Sequence, residues 1–327
     1  MKGVSQAATL LRQGRLVAFP TETVYGLGAD ATNAAAVARI FSVKGRPAAN
    51  PLIVHVADAK IARQYVTDWP ATAQKLADIF WPGPLTLVLP KSPKIVDSAT
   101  AGRSTVGLRV PDHLLALELL RAFAGPVAAP SANRSNHVSP TTAEHVRTDL
   151  GDEVDLILDG GPCHVGIEST VINLSGDKPM ILRPGGISRM QIEAIIGPVR
   201  LWSGSLKKDQ PAASPGQAAV HYAPKATAYR FPHRDFQSVG NWCRRHLRDD
   251  QPCALVKLVD SATTLHTPTI QIANLPNNPA HYAQRLYALL RSLDSQGIEV
   301  ILIEMPPAID AWAAVTDRLT RATRPLP

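Results

Sequence analysis

Short apolar runs that alternate with helical patterns restrict this chain more than any other feature. "RLVAFP" (15–20), "PLIVHV" (51–56), "LTLVLP" (85–90), "TVGLRVP" (105–111), "PVAAPSA" (126–132), "VDLILDGG" (154–161) and "STVINLSG" (169–176) are strand-length, and most are bounded by Pro or Gly. Between them lie helical candidates: "SQAATLLRQG" with Gly14 as its stop, "TAQKLADIF", "HLLALELLRAF" and "TTAEHVRTDL". "ATNAAAVARIFSVKG" (31–45) reads as a further helix, with Ala34, Val37, Ile40 and Phe41 on one face and Gly45 past its end. The pattern predicts an α/β fold whose sheet is mixed, because several strands follow one another too closely for parallel crossovers.

A chain of 327 residues holds about two domains at roughly 150 residues each. The texture changes near residue 203, where "SGSLKKDQPAASPGQAAVHYAPKA" carries Gly204, Pro211, Pro215 and Gly216 and little periodicity. Beyond it, "CALVKLV", "NPAHYAQRLYALLRSLDSQG", "EVILIEMP" and "AWAAVTDRLTRAT" read as strand, helix, strand, helix. The expected division is a domain at 1–202, a linker at 203–224 and a smaller α/β domain at 225–327. The smaller domain has no Gly-rich nucleotide fingerprint, and no internal repeat is present.

Composition narrows the partners. No apolar stretch reaches the roughly 18 residues of a membrane span, and "MKGVSQAATLLRQGRLVAF" lacks a signal-peptide core, so a cytoplasmic protein is expected. Cys163, Cys243 and Cys253 have no C-x-x-C spacing, which argues against a zinc cage or a disulfide framework. The net charge of +7 suits an anionic ligand, yet no basic run of five occurs and aromatics are only 5%. Small anions fit better than a dedicated nucleic-acid surface.

Polar clusters fall at strand ends, where α/β proteins place ligands. They are "PTETVYGLGAD" (20–30), "KGRPAANP" (44–51), "RSTVGLRVP" (103–111), "PSANRSNHVSPT" (130–141), "VGIEST" (165–170) and "LRPGGIS" (182–188). Together they supply Lys44, Arg46, Arg109 and Arg183, several hydroxyls, Asn50 and Asn133, a donor set suited to phosphates and carboxylates. Each residue also has a plain structural reading. Ser139 reads as the cap of "SPTTAEHV", with Pro140 in the first turn and Ala143 and Val146 facing inward. His55 reads as a core histidine, and Cys163 beside His164 as a small buried residue rather than a nucleophile. Glu22 and Glu168 read either as an acid and a base or as carboxylates that hold loop backbone. The absence of G-x-x-x-x-G-K-[ST] excludes a P-loop.

In order and spacing these clusters resemble one known pattern. "KGRPAANPL" followed by "SAN" matches the lysine, arginine, serine and asparagine signature of the YrdC-like family. The resemblance extends through "FPTETVYGLGADA", "STVGLRVP", "PSANRSNHVSPT", "DGGPCHVGIESTV", "LRPGGIS" and "SPGQAAVHYAPKA". "GIEVILIEMPP" and "AVTDRLTRAT" resemble the C-terminal domain of the long form, the threonylcarbamoyl-AMP synthases. It implies a twisted mixed sheet with flanking helices, joined by a linker to a smaller Rossmann-like unit.

The implied activity joins L-threonine, bicarbonate and ATP into threonylcarbamoyl-adenylate and pyrophosphate. A separate transferase complex then modifies adenosine 37 of tRNAs that read ANN codons, so contact with tRNA is indirect. Carried over by motif position, Thr23, His55, Arg109, Ala129 and Ser169 surround L-threonine, with Arg109 as the fork on its α-carboxylate. Arg46, Asn50, Thr105, Ser131, Ser139, Arg183 and Tyr222 meet ATP. Lys44, Arg46, Ser131 and Asn133 form the catalytic set where bicarbonate and the α-phosphate meet. Mg²⁺ is expected mainly on the triphosphate, with no assigned protein ligand.

The linker reads as a mobile strap over the pocket, with Tyr222 reaching the nucleotide. Gln217, Ala218 and Ala219 depart from the family's usual residues there. Asn136 stands where the family commonly has Gly and tolerates positive φ better than most residues. Two other readings remain: an RNA-binding module of the same fold, and an enzyme acting on carbamoyl phosphate. The second normally carries acylphosphatase-like and zinc-finger modules that this chain lacks.

Overall fold

The computed structural model describes residues 2–202, 221–263 and 270–327. The chain divides into two compact units, Met1–Ser135 with Ser139–Ala219, and Asn136–Val138 with Val220–Pro327. Most of the expected linker, 203–220, lies outside the described residues, including Gln217, Ala218 and Ala219.

The first unit's strands are β1 (Val17–Phe19), β2 (Gly26–Asp30), β3 (Ile53–His55), β4 (Leu85–Pro90), β5 (Thr105–Arg109), β6 (Val127–Ala128), β7 (Leu156–Ile157), β8 (Thr170–Asn173), β9 (Met180–Arg183) and β10 (Arg200–Leu201). Among the described residues they form one sheet in the order β10-β9-β8-β4-β5-β3-β6-β2-β1-β7. Pairing is mixed, as expected: β3 runs parallel to β5 and antiparallel to β6, while β4 is antiparallel to β5 and parallel to β8.

Around the sheet lie α1 (Lys2–Arg12), α2 (Ala34–Lys44), α3 (Ala59–Ala62), α4 (Ala71–Phe80), α5 (Leu114–Phe123), α6 (Ala143–Leu150) and α7 (Arg189–Ile196). Successive side chains of a strand point to opposite faces, so each strand separates core from site. Val54 and Leu108 pack with Val37 and Ile40 of α2, and Leu85, Leu87 and Leu89 pack with Leu76 of α4. The alternate positions form the other face. By register Ile53 lies beside Gly107 and His55 beside Arg109. There Ile53, Val88, Val171 and Leu182 make a small apolar cluster from strands alone, whereas α1 and α5 cover Val17, Phe19 and Val127.

Among the described residues the second unit has five parallel strands, β11 (Thr227–Phe231), β12 (Cys253–Leu258), β13 (Ile270–Leu275), β14 (Val300–Glu304) and β15 (Arg324–Pro325), in the order β13-β12-β14-β11-β15. Its helices are α8 (Phe236–His246), α9 (Pro279–Ser295) and α10 (Ala313–Ala322). Asn278 caps α9 through Ala280 N and His281 N, and Pro279 opens it.

Candidate functional site

Lys44 ends α2 because Gly45 takes the left-handed conformation, φ +59°, and returns its N–H to the helix. That stop leaves the lysine 2% exposed, with an ammonium that must find acceptors. It donates to the carbonyl oxygens of Ser131 (2.6 Å) and Asn133 and to Asn133 Oδ1 (3.4 Å). Ser131 Oγ meets the same Oδ1 at 2.5 Å, so the lysine, serine and asparagine of the expected signature form one cluster. Burial, and then the neighbouring Arg46, pushes the Lys44 ammonium well below its ordinary value. Arg46 donates to the carbonyl oxygens of Asn50 (3.3 Å) and Pro51 (3.1 Å), which ties the proline-stiffened loop to the start of β3.

At the other end of β3, His55 and Arg109 are register partners. Arg109 Nη2 donates to Thr23 Oγ1 at 2.9 Å and lies 2.8 Å from Glu22 Oε2, and Nε donates to Gly83 O at 3.3 Å. Burial, and then the Arg109 charge, lowers His55 to about 3, so its imidazole is neutral near pH 7. Thr21 Oγ1 accepts from Thr23 N and Val24 N, a tight turn that holds Glu22 and Thr23 at the end of β1. Ala129 N donates to Ile53 O, which keeps that backbone beside β3.

Ser169 and Arg183 form the third cluster. Arg183 Nη2 donates to Ser169 O (2.9 Å) and Oγ (3.2 Å), and Ser169 Oγ meets Thr86 Oγ1 at 2.8 Å. Gly185 makes this approach possible: a Cβ there would stand 2.3 Å from Thr170 N and 2.6 Å from Glu168 O. Asn50 and Thr105 are half-buried. Tyr222 belongs to the second unit, at φ +63°, stacked on Tyr287 (5.8 Å between centroids) with the Arg318 guanidinium 5.2 Å from its ring.

Two plain readings change or sharpen. Ser139 is not the cap of α6; Thr142 is, accepting from His145 N, while Ser139 Oγ is fully buried and donates to Glu168 Oε1 at 2.6 Å. Cys163 is buried and its thiol is pushed up to about 12 by burial, in keeping with a non-nucleophilic residue. Sequence reasoning missed Thr86, whose only signal is a hydroxyl in the otherwise apolar run "LTLVLP", and the pairing of Glu22 with Arg109.

Similarity to known proteins extends along nearly the whole chain. The family profile described as "Telomere recombination" (Sua5, YciO and YrdC) matches residues 9–185, and "Threonylcarbamoyl-AMP synthase, C-terminal domain" matches 187–323. A threonylcarbamoyl-AMP synthase of Bacillus subtilis is 40% identical over 320 residues, covering 98% of this chain and 92% of the relative. The chain belongs to the threonylcarbamoyl-AMP synthase family. Another synthase of this family, from Pyrococcus abyssi, is 40% identical over 97% of this chain and 93% of its own length. The crystal structure of P. abyssi Sua5 complexed with L-threonine superposes with a TM-score of 0.89 at 38% identity, covering 98% of this chain and 95% of that one.

Proposed function

We propose that this member of the synthase family condenses L-threonine, bicarbonate and ATP into threonylcarbamoyl-AMP and pyrophosphate, supplying the threonylcarbamoyl group of adenosine 37 in tRNAs that read ANN codons. One observation carries the reading. Lys44, Arg46, Arg109 and Arg183 are all buried in the first unit, between 2% and 9% exposed, where hydroxyl and carbonyl oxygens hold them in place. Glu22 offsets part of this charge beside Arg109, and so much positive charge gathered in one buried region favours anionic ligands. A carbamate, an α-carboxylate and a triphosphate are such anions.

In this reading Arg109 forks the threonine α-carboxylate, with Thr23, His55, Ala129 and Ser169 around the rest of the molecule. Within the first unit, Arg46, Asn50, Thr105, Ser131, Ser139 and Arg183 meet ATP. The amine displaces the hydroxyl of bicarbonate as water, and the carbamate oxygen then attacks the α-phosphorus as the bond to pyrophosphate breaks. Lys44 and Arg46, with Ser131 and Asn133, stabilise the charge that develops there, so the chain acts as an adenylyl (nucleotidyl) transferase. Arrival of phosphate opposes the effects that depress Lys44 and favours its ammonium form.

Among the described residues no cluster of three or more His, Cys, Asp or Glu side chains is arranged to hold a metal. In this reading magnesium enters mainly on the phosphates of ATP, because it keeps several of its waters and binds through substrate phosphates. The product goes to a separate threonylcarbamoyl transferase in the cytoplasm. Among the described residues no helix is long and apolar enough to cross a membrane. The test is pyrophosphate release from ATP across the standard amino acids with and without bicarbonate. Release should require both threonine and bicarbonate; equal release with other amino acids would overturn the reading.

A further inference from the structure

Threonine carries its amine as an ammonium at neutral pH, and carboxylation needs the free amine. Nothing among Thr23, His55, Arg109, Ala129 and Ser169 is an anion that could meet that charge. Glu22, beside them, is 1% exposed, and its Oε1 has no hydrogen-bond partner. Its Oε2 lies 2.8 Å from Arg109 Nη2 without forming an aligned hydrogen bond, so the contact is an ion pair with acceptor capacity left over.

An α-amino acid holds its nitrogen two bonds from its carboxylate carbon, so protein groups that meet the two charges must themselves be neighbours. Glu22 and Arg109 are such neighbours, and a bound zwitterion would complete a square of alternating charge. Without ligand, each compensates the other's burial. We propose that Glu22 receives the α-ammonium of L-threonine and takes the proton the amine must lose before carboxylation. The assignment rests on the synthase reading of this site.

The titratable groups around Glu22 come from several elements. Arg109 comes from β5, His113 from the cap position before α5, and Cys163 from the loop before β8; His55 of β3 lies beside Arg109 in register. Burial lowers His113 and raises Cys163 to about 12, so both are neutral near pH 7 and Arg109 is the charged neighbour. The backbone of Glu22 is held by Val165 N, which donates to its carbonyl oxygen at 2.7 Å.

The step balances. One proton moves from the ammonium to Glu22, and the amine lone pair forms the N–C bond to bicarbonate. The C–O bond to hydroxyl breaks, and hydroxide leaves as water with a second amine proton. The proton on Glu22 returns to solvent or to the departing pyrophosphate.

The test titrates the full chain with L-threonine and with 3-hydroxybutyrate, which is threonine without its amine, in the natural protein, Glu22→Gln and Glu22→Asp. The natural protein should prefer threonine by about 10- to 100-fold, and Glu22→Gln should lose that preference. Glu22→Asp, which keeps the charge, should keep part of it and serves if the Gln variant does not fold. Undiminished preference in Glu22→Gln, or in Glu22→Asp no preference at all, overturns the assignment.

Turnover supplies the second readout. The deficit of Glu22→Gln should shrink as pH rises toward the α-amino pKa, where the amine is neutral without help; a constant deficit means that Glu22 only positions Arg109, and overturns the proton-acceptor role. If the natural protein discriminates by Glu22 yet releases no pyrophosphate, the synthase reading fails and the ammonium contact is supported.

Discussion

Lys44 Nζ lies 2.6 Å from the carbonyl oxygen of Ser131, so the last residue of α2 fastens a turn 87 residues further along the chain. The same ammonium reaches Asn133 through two oxygens. Its charge therefore serves two ends, holding the serine–asparagine turn and providing positive potential beside it.

Replacing Lys44 by Met should separate these effects from bulk. The carbonyl oxygens of Ser131 and Asn133 would lose a donor, at about 1–3 kcal/mol for each left unsatisfied. Pyrophosphate release at saturating substrates should fall by about 100- to 1,000-fold, as for loss of a donor at a developing oxyanion. Denaturant titration and turnover on the same preparation check both.

For Arg109, the variant with Lys is more informative than loss of charge. A lysine keeps the cation but not the fork that reaches Thr23, Gly83 and Glu22. The threonine KM should rise by about 10- to 100-fold while the ATP KM changes by less than about threefold. Equal rises in both would remove Arg109 from the threonine carboxylate.

His55 gives the fold a pH dependence of known sign. Its folded value is about 3 against an ordinary 6.5, so between these values the unfolded chain binds the extra proton. Stability should therefore fall as pH drops from 6.5 toward 3, by up to a few kcal/mol for this residue. In His55→Gln the slope of stability against pH over that range should be shallower, measured by urea midpoints at several pH values.

Gly185→Ala tests the close approach of strand and loop. The added methyl would meet Thr170 N at 2.3 Å and Ser169 C at 2.4 Å, both backbone atoms that cannot rotate away. A loss of at least about 1–3 kcal/mol is expected, with reduced turnover because Ser169 and Arg183 share that corner. A substitution without effect on the melting temperature would show that the corner yields.

Residues whose partners are near in sequence, or whose role follows from a period, were legible before the structure. The stop at Gly45, the strands at Ile53–His55 and Leu85–Pro90, and the inward Ala143 and Val146 all follow from local pattern. Asn136 adopts φ +68°, the left-handed conformation a glycine would occupy. Position 139 shows the limit. Its serine has every local mark of a cap, yet its hydroxyl goes to Glu168, 29 residues away, because a buried carboxylate needs a donor.

The strand Gly26–Asp30 was hidden because its glycines lower strand propensity. The structure shows why Gly28 is tolerated there: a Cβ would collide with Phe19 and Val127 at 2.9 Å. The helix Arg189–Ile196 escaped notice although Ser188 and Gln191 form a capping box at its start. The pairing of Glu22 with Arg109 joins the turn after β1 to β5, far apart in sequence, and no local spacing encodes it.

The most direct test follows the carbon of bicarbonate. Purified protein is incubated with ATP, labelled bicarbonate and each amino acid in turn, and the products are separated before hydrolysis. The account requires a labelled adenylate that forms with L-threonine alone and disappears when ATP is withheld. Label that never enters an adenylate, or enters equally with other amino acids, would contradict it.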